Sequence, residues 1–515
     1  MRLWWSNGGP PNLPFFPVLL TASLGLFAVA CYILANSKSG EAKLPLPPGP
    51  VGFPLLGSLP FLKPDLHVHF AALARTYGPI MTLQLGRKLC IIVTSPSLAK
   101  EVLKDQDATF ANRDVLAAAR ALPNGLHGMG WAPYGLQWRM LRKITMSNML
   151  NQSGIESFHG LRREEVRLML VRVYEAVNSR VNFGELVFVP LFNVLTGMLW
   201  GGSLKEEILN VVGDVSEMFG RADVSDVFPV LARLGIQGVV RKAKKVSMSL
   251  DQTWENIIHG RITQGGRSNA QGTKDLLEVL LETIERGNPK MPLKRENIKG
   301  LFTDLVLAGL FTTSTMMEWA MTEMLQSPET MSKAQKELDQ VVGMNCMVEE
   351  THLPKLHYLN ALIKEVLRLH PTTPLMLPRT PSQTSVVGGY TVPKGSCVLV
   401  NIWAIERDPI AWDRPLEFDP DRFLTGPVKW DYSGNDLRYF PYGSGRRICP
   451  GMYLADRMMA YGLATLLHSF EWRLPAGEKL DVSAKLGAVL KRAKPLLVVP
   501  TLRQDSAEHF TASTV

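Results

Sequence analysis

The chain has 515 residues, of which 46% are hydrophobic and 20% charged. That supplies a large core and rules out wholesale disorder. The net charge is +9, but no run of five Lys/Arg and no aromatic–basic repeat accompanies it. Nucleic acid is therefore set aside, leaving an anionic membrane surface or an acidic protein as the partner of that charge. The five cysteines, Cys31, Cys90, Cys346, Cys397 and Cys449, are odd in number and scattered, without a CxxC pair, which argues against a disulfide framework and a zinc site.

In chain order, Leu3 to Ser37 contains no charged residue, and Phe15 to Ala35 is an apolar run about one bilayer long. A cleaved signal has a shorter apolar region, of ~7–15 residues, so residues 1–37 are predicted to be a retained membrane anchor. Lys38 and Lys43 beyond it lean toward a cytosolic body. The stretch LPLPPGP (Leu44 to Pro50) reads as a stiff extended linker within a hinge spanning 38–60. From 61 to 515 the pattern is that of one domain, mainly α-helical with a minor β-sheet region. Strands are predicted at Ile80 to Gly86, at Leu89 to Ser95, and between Ser385 and Trp403, where Gly-Gly and Pro-Lys-Gly turns interrupt β-rich runs. Thr263 to Asp275 is glycine-rich and reads as a loop between helices.

Four constellations carry chemistry. Trp138 and Arg142, four apart, share one helix face, while Arg139 and Lys143 form a second, basic face; an ordinary amphipathic helix would look the same. AGLFTTST (Ala308 to Thr315) puts a glycine and four consecutive hydroxyls inside a long apolar run, where glycine costs up to ~1 kcal/mol and hydroxyls compete with the helix ladder; the pattern predicts a weakened helix serving a site. Glu365 and Arg368 share a face of an otherwise apolar helix. The pair is either a solvated surface pair or a partly buried one needing a further partner, for which Arg422 in FDPDRF is the candidate. Finally, Cys449 stands in PYGSGRRICPG just before a helical run. Dipole and free amides would stabilise its thiolate there, and the glycines would let the backbone approach a flat partner. A metal-ligating thiolate and a buried structural cysteine are the two readings.

Together these residues resemble the cytochrome P450 superfamily, the haem-thiolate monooxygenases, over nearly the whole chain. The hinge, GRRICPG and DPDRF are similar to the plant A-type group, and VVGGYTVPKGS, NIWAIERDP and KWDYSGNDLRYFPYGSGRRI to a subgroup that includes sesquiterpene hydroxylases. The resemblance implies the cytochrome P450 fold and haem b with Cys449 as axial iron ligand. It implies Trp138, Arg142, Arg379 and Arg447 at the propionates, and a buried cluster of Glu365, Arg368 and Arg422. It also implies Gly309 and Thr312 in the oxygen groove. The implied reaction is NADPH- and O2-dependent oxidation of a lipophilic plant metabolite, a terpenoid or phenylpropanoid. Electrons would come from a membrane-bound flavoprotein reductase docking near Arg139, Lys143 and Arg446. The protein would sit in the endoplasmic reticulum membrane as a single-pass protein with its catalytic domain cytosolic. Residues around Leu305, Ala308 and Phe311, Thr373 to Leu377, and Leu486 to Val489 would line an apolar pocket. Two positions depart from the family pattern. Tyr442 replaces the usual Phe seven residues before the cysteine, where a hydroxyl near sulfur would tune its potential. Phe311 replaces the acid before the groove threonine, and the reading favours a ring that shapes the pocket. Arg120, in the substrate-covering region, points either to solvent or inward; inward, it would suit N-oxygenation of an aromatic amino acid to an aldoxime. A non-catalytic haem sensor is the reading from another class.

Overall fold

The structure is a computed structural model that describes residues 44–122, 124–202, 213–215, 218–219, 223–234, 237–263, 273–287, 291–426 and 428–503. The predicted anchor, residues 1–37, lies outside them. The helices that build the body are α1 (Leu66–Tyr77), α2 (Leu136–Thr145), α3 (His159–Glu175), α4 (Phe183–Trp200), α5 (Val239–Thr263), α6 (Leu276–Arg286), α7 (Arg295–Gln326), α8 (Pro328–Val341), α9 (His357–Leu369) and α10 (Met452–Ser469). Helices thus flank the predicted glycine-rich loop on both sides, most of which lies outside the described residues.

The 32-residue α7 runs through the core, packed by α4, α9 and α10. Both α4 and α7 are long and apolar enough to cross a membrane, but two-thirds of each apolar window is buried inside the body, so that apolarity goes into packing. At AGLFTTST, where a weakened helix is expected, α7 is continuous. Thr312 Oγ1 donates to the Ala308 carbonyl at 2.7 Å and Ser314 Oγ to that of Leu310 at 3.0 Å. The hydroxyls are satisfied one turn back without opening the ladder.

The main sheet has five strands, β1 (Ile80–Leu85), β2 (Lys88–Val93), β3 (Asn112–Arg113), β4 (Arg379–Thr380) and β5 (Cys397–Val400), in spatial order β1-β2-β5-β4-β3. β1 and β2 form the hairpin their alternation predicts, and β5 adds to β2 in parallel, with Cys90 opposite Cys397. The predicted β-rich run from Ser385 resolves into a hairpin, Ser385–Val387 with Tyr390–Val392, followed by β5. Unforeseen in the sequence are the C-terminal strands: Phe470–Arg473 with Leu497–Leu502, and the hairpin Ala484–Leu486 with Leu490–Arg492.

The proline stretch is not free. The Pro48 carbonyl accepts from the Thr82 amide at 2.9 Å and that of Pro45 from the Thr391 amide at 2.8 Å. A stiff extended segment lacks internal hydrogen bonds, so its carbonyls are open to the sheet edge.

Candidate active site

The loop from Pro441 to Gly451 is shaped by its glycines. Gly445 has φ +68, and a Cβ there would stand 1.9 Å from the Leu103 carbonyl oxygen; only glycine accepts both conditions. Next come Cys449 and the N-terminus of α10. The Cys449 amide donates to the Tyr442 carbonyl at 2.9 Å, which folds the loop so that the sulfur meets the Gly451 amide. Burial pushes the thiol up, while that amide hydrogen bond and the Arg142 guanidinium pull it down. A thiol held between desolvation and donors is one whose thiolate needs a cation partner. The Tyr442 hydroxyl is buried without a hydrogen-bond partner.

Around this loop the fold gathers four arginines, Arg113 from β3, Arg142 from α2, Arg379 from β4 and Arg447 from the loop itself. Arg113 is held down by burial and then by Arg379 and Arg447. Arg447 falls to about 10 through burial and then through Arg379 and Arg142. Arg379 falls to about 10 through burial. Asp304 on α7 is the carboxylate that opposes them for Arg113 and Arg447. Burial pushes Asp304 up to about 6 against the hydrogen bonds it accepts from the amides of Gly130, at 2.8 Å, and Met129, at 2.5 Å. Arg379 Nε and Nη2 are buried without partners, and its Nη1 reaches only the Phe110 carbonyl, at 3.3 Å. Asp107 opposes Arg379, and four guanidiniums with Arg379 donors unspent form a site for an anion.

Trp138 and Arg447 spend their donors on the backbone. The Trp138 indole donates to the Met129 carbonyl at 3.0 Å. Arg447 directs its fork at the carbonyls of Ala111, Met129 and Ala132, at 2.8, 2.7 and 2.6 Å, and its guanidinium lies 4.5 Å from the Trp138 ring. Both side chains clamp the 111–132 segment, because its turning backbone leaves carbonyls that need buried donors. A Cβ on Gly309 would meet Leu195 Cδ2 at 2.8 Å, so the glycine lets α7 approach α4. Phe311 packs its ring 5.7 Å from that of Phe188 on α4. The ring therefore takes part in packing α7 against α4. Arg120 is exposed. On α7, Leu305, Ala308 and Thr312 share a face, and Ala308, deep in the helix by sequence, is exposed. The Leu490 amide donates to the Thr372 carbonyl at 2.7 Å, joining two of the predicted lining segments.

The cytochrome P450 family profile matches residues 47–499. The chain belongs to the cytochrome P450 family. It is similar to flavonoid 3'-monooxygenase of Petunia hybrida (38% identical, covering 93% of this chain and 96% of that one). Geraniol 8-hydroxylase of Swertia mussotii is 38% identical over 94% of this chain and 99% of that one. Among solved structures, a zebra fish cytochrome P450 with progesterone superposes with TM-score 0.75, at 26% identity, over 85% of this chain and 100% of that one.

This cytochrome P450 is a monooxygenase that uses haem b, with electrons from NADPH through a reductase partner, and takes a small lipophilic substrate. The residues present suit that group. The unspent Arg379 donors and the surplus of guanidinium suit two propionates, and a cysteine with an amide at its sulfur suits the iron. Sequence reading missed Arg113 and Asp304. Arg113, in FANRD, carries no local signal. Asp304 is a lone acid in the apolar run LFTDLVLAG, and that mismatch was the available clue.

The buried cluster is as the resemblance implies. Arg368 makes a two-pronged pair with Glu365, at 2.6 and 2.8 Å, and Arg422 Nε reaches the same carboxylate at 3.0 Å. Arg368 also donates to the carbonyls of Glu406 and Pro415, each at 2.8 Å. The partners satisfy the buried charges, so the solvated-pair alternative falls away.

Proposed function

We propose that this cytochrome P450 hydroxylates a terpenoid or a flavonoid-type phenylpropanoid, and that Cys449 would supply the thiolate to the haem iron while Arg113, Arg142 and Arg379 would hold the propionates, with Arg447 and Trp138 bracing the backbone beside them. The carrying observation is the arginine cluster with unspent Arg379 donors beside a cysteine capped by the Gly451 amide. When bound, haem supplies the activation of O2 and the insertion of one oxygen atom. The chain's own residues do the rest. The Gly451 amide and the start of α10 favour negative charge on sulfur. The Leu305–Ala308–Thr312 face offers apolar surface with one hydroxyl. With Phe311 in place of an acid, Thr312 is the groove's proton handle. Its hydroxyl, now donated to Ala308, can turn to a ligand or water. Gly309 serves the groove indirectly, by setting the distance of α7 from α4. Apolar lining favours a lipophile, and the relatives act on a flavonoid and on geraniol. Exposed Arg120 offers no buried partner for a carboxylate, so the aldoxime reading loses its support. The test is turnover with NADPH and a plant reductase over a panel of terpenes and flavonoids. One oxygenated product lost in Cys449→Ser supports the reading. NADPH oxidation with no product from any of them would refute it.

Residues 1–37 as a single-pass endoplasmic reticulum anchor, 38–60 as hinge and 61–515 as catalytic domain complete the proposal. Val51, Phe53, Leu55, Phe61 and Val230 are more than half exposed. They surround the tip of the β1–β2 hairpin, where the Gly86 amide donates to Leu56 and that of Arg87 to Val227. An apolar patch beside the chain's entry supports a membrane-facing surface. For the membrane-bound reductase, Arg139 and Lys143 are exposed. Arg446, paired with Asp107 at 3.0 Å, lies with Arg139 over the ring of Tyr134. That basic face suits an acidic flavoprotein.

A further inference from the structure

Tyr442, the tyrosine where the family pattern has phenylalanine, ends a continuous line of aromatic rings. Its ring lies 5.1 Å from that of Tyr432, edge to face. Tyr432 lies 6.3 Å from Tyr439, and Tyr439 6.0 Å from Trp430. Trp430 stacks on Trp412 at 4.7 Å and is only partly buried. The line thus runs from the residue whose carbonyl holds the Cys449 amide to the surface. Hydrogen bonding along it is uneven. The Tyr442 hydroxyl has no partner, and Tyr439 donates to the Lys364 carbonyl at 3.1 Å. Tyr432 alone of the three tyrosines meets a carboxylate, since its phenol hydrogen-bonds Asp456 on α10.

We propose that Tyr432 is a redox-active tyrosine that gives an electron, through the Tyr442 ring, to the haem–thiolate centre when an oxidising equivalent there finds no substrate. The inference rests on the reading that Cys449 would supply the thiolate to the haem iron. In the step, the Tyr432 O–H bond breaks. The electron passes to the oxidised centre and the proton to the Asp456 carboxylate, leaving a neutral phenoxyl radical and a neutral acid. Without a base at hand the phenol would become a buried cation, which this apolar surrounding disfavours. Asp456, itself pushed up by burial, is a base suited to take that proton. One electron from the reductase, with the proton returned by Asp456, restores the phenol. Tyr442 has no base for its own proton, so it only relays the electron and the radical rests on Tyr432; a phenylalanine there is harder to oxidise and would slow that relay.

The experiment mixes substrate-free ferric holoprotein with hydrogen peroxide, freezes it within milliseconds, and reads the electron paramagnetic resonance spectrum. A tyrosyl radical is expected in the native protein, lost in Tyr432→Phe and in Tyr442→Phe, with faster peroxide bleaching of the haem in both. Tyr442→Phe restores the usual residue and keeps the ring, so it guards against loss of folding. An undiminished tyrosyl signal in both variants, or none in the native protein, overturns the proposal. The reduced carbon monoxide spectrum is taken on the same samples. A thiolate-type band with no tyrosyl signal sinks the aromatic line alone, whereas absence of that band sinks the Cys449 reading as well.

Discussion

Asp304 shows what one residue does when the fold places it among glycines and arginines. Its carboxylate takes the amides of Met129 and Gly130, and a Cβ on Gly128 would stand 2.0 Å from its Oδ2. The segment preceding α2 is thereby fastened to α7. Burial raises the group from 3.8 to about 6. The folded protein therefore binds a proton that the unfolded chain has released between about pH 4 and 6, and the stability this gives is lost as pH rises through that window. Asp304→Asn keeps an acceptor and removes the titration. The variant should match the native protein near pH 4 and exceed it at pH 7, by up to roughly 3 kcal/mol on a two-unit shift. Denaturant melts at both pH values measure this, and parallel curves for the two proteins would refute it. At the same scale, Cys449 was legible because a cysteine among glycines and prolines before a helix has few structural uses. The carbonyl contacts of Arg447 were not, since they depend on where residues 111 to 132 turn.

The α7–α4 crossing decides the meaning of AGLFTTST as an element. Gly309 admits Leu195 and Phe311 packs on Phe188, so both answer to the neighbouring helix while Ala308 and Thr312 share another face. Phe311→Asp would place a carboxylate against Phe188, losing ~1.5–3 kcal/mol of apolar burial and adding the cost of a desolvated charge. A lower melting temperature and holoprotein yield are expected. Phe311→Leu, which keeps the packing, should retain both and leave the product pattern unchanged. An altered product pattern in Phe311→Leu at unchanged melting temperature would show instead that the ring meets substrate. The α9 cluster gives a second element-scale prediction. Glu365→Ala strands Arg368, which is fully buried, and should cost roughly 3–5 kcal/mol. A near-normal yield of haem-loaded protein from that variant would contradict the burial of the pair.

For the whole molecule, the attachment of residues 44–50 to the sheet through Pro45 and Pro48 means the body is aimed by its own first residues. Removal of residues 1–37 should release most of the protein from membranes while haem binding persists. Partial retention by anionic vesicles is expected from the exposed ring of Val51, Phe53, Leu55, Phe61 and Val230, measured by flotation. Loss of haem on that truncation would refute the separation of anchor from body. By itself the sequence determined the helical class, the β1–β2 hairpin, the cysteine loop and the Glu365–Arg368 pair. Each is a matter of local periodicity, turn chemistry or an uncommon residue in an apolar setting, and these act over a few neighbours. The tertiary structure decided that four arginines from β3, α2, β4 and the loop converge, that Asp304 opposes Arg113 and Arg447 among them, and that Phe311 packs on α4. Charge repulsion, burial and helix crossing depend on distances between segments far apart in the chain, which no local pattern carries.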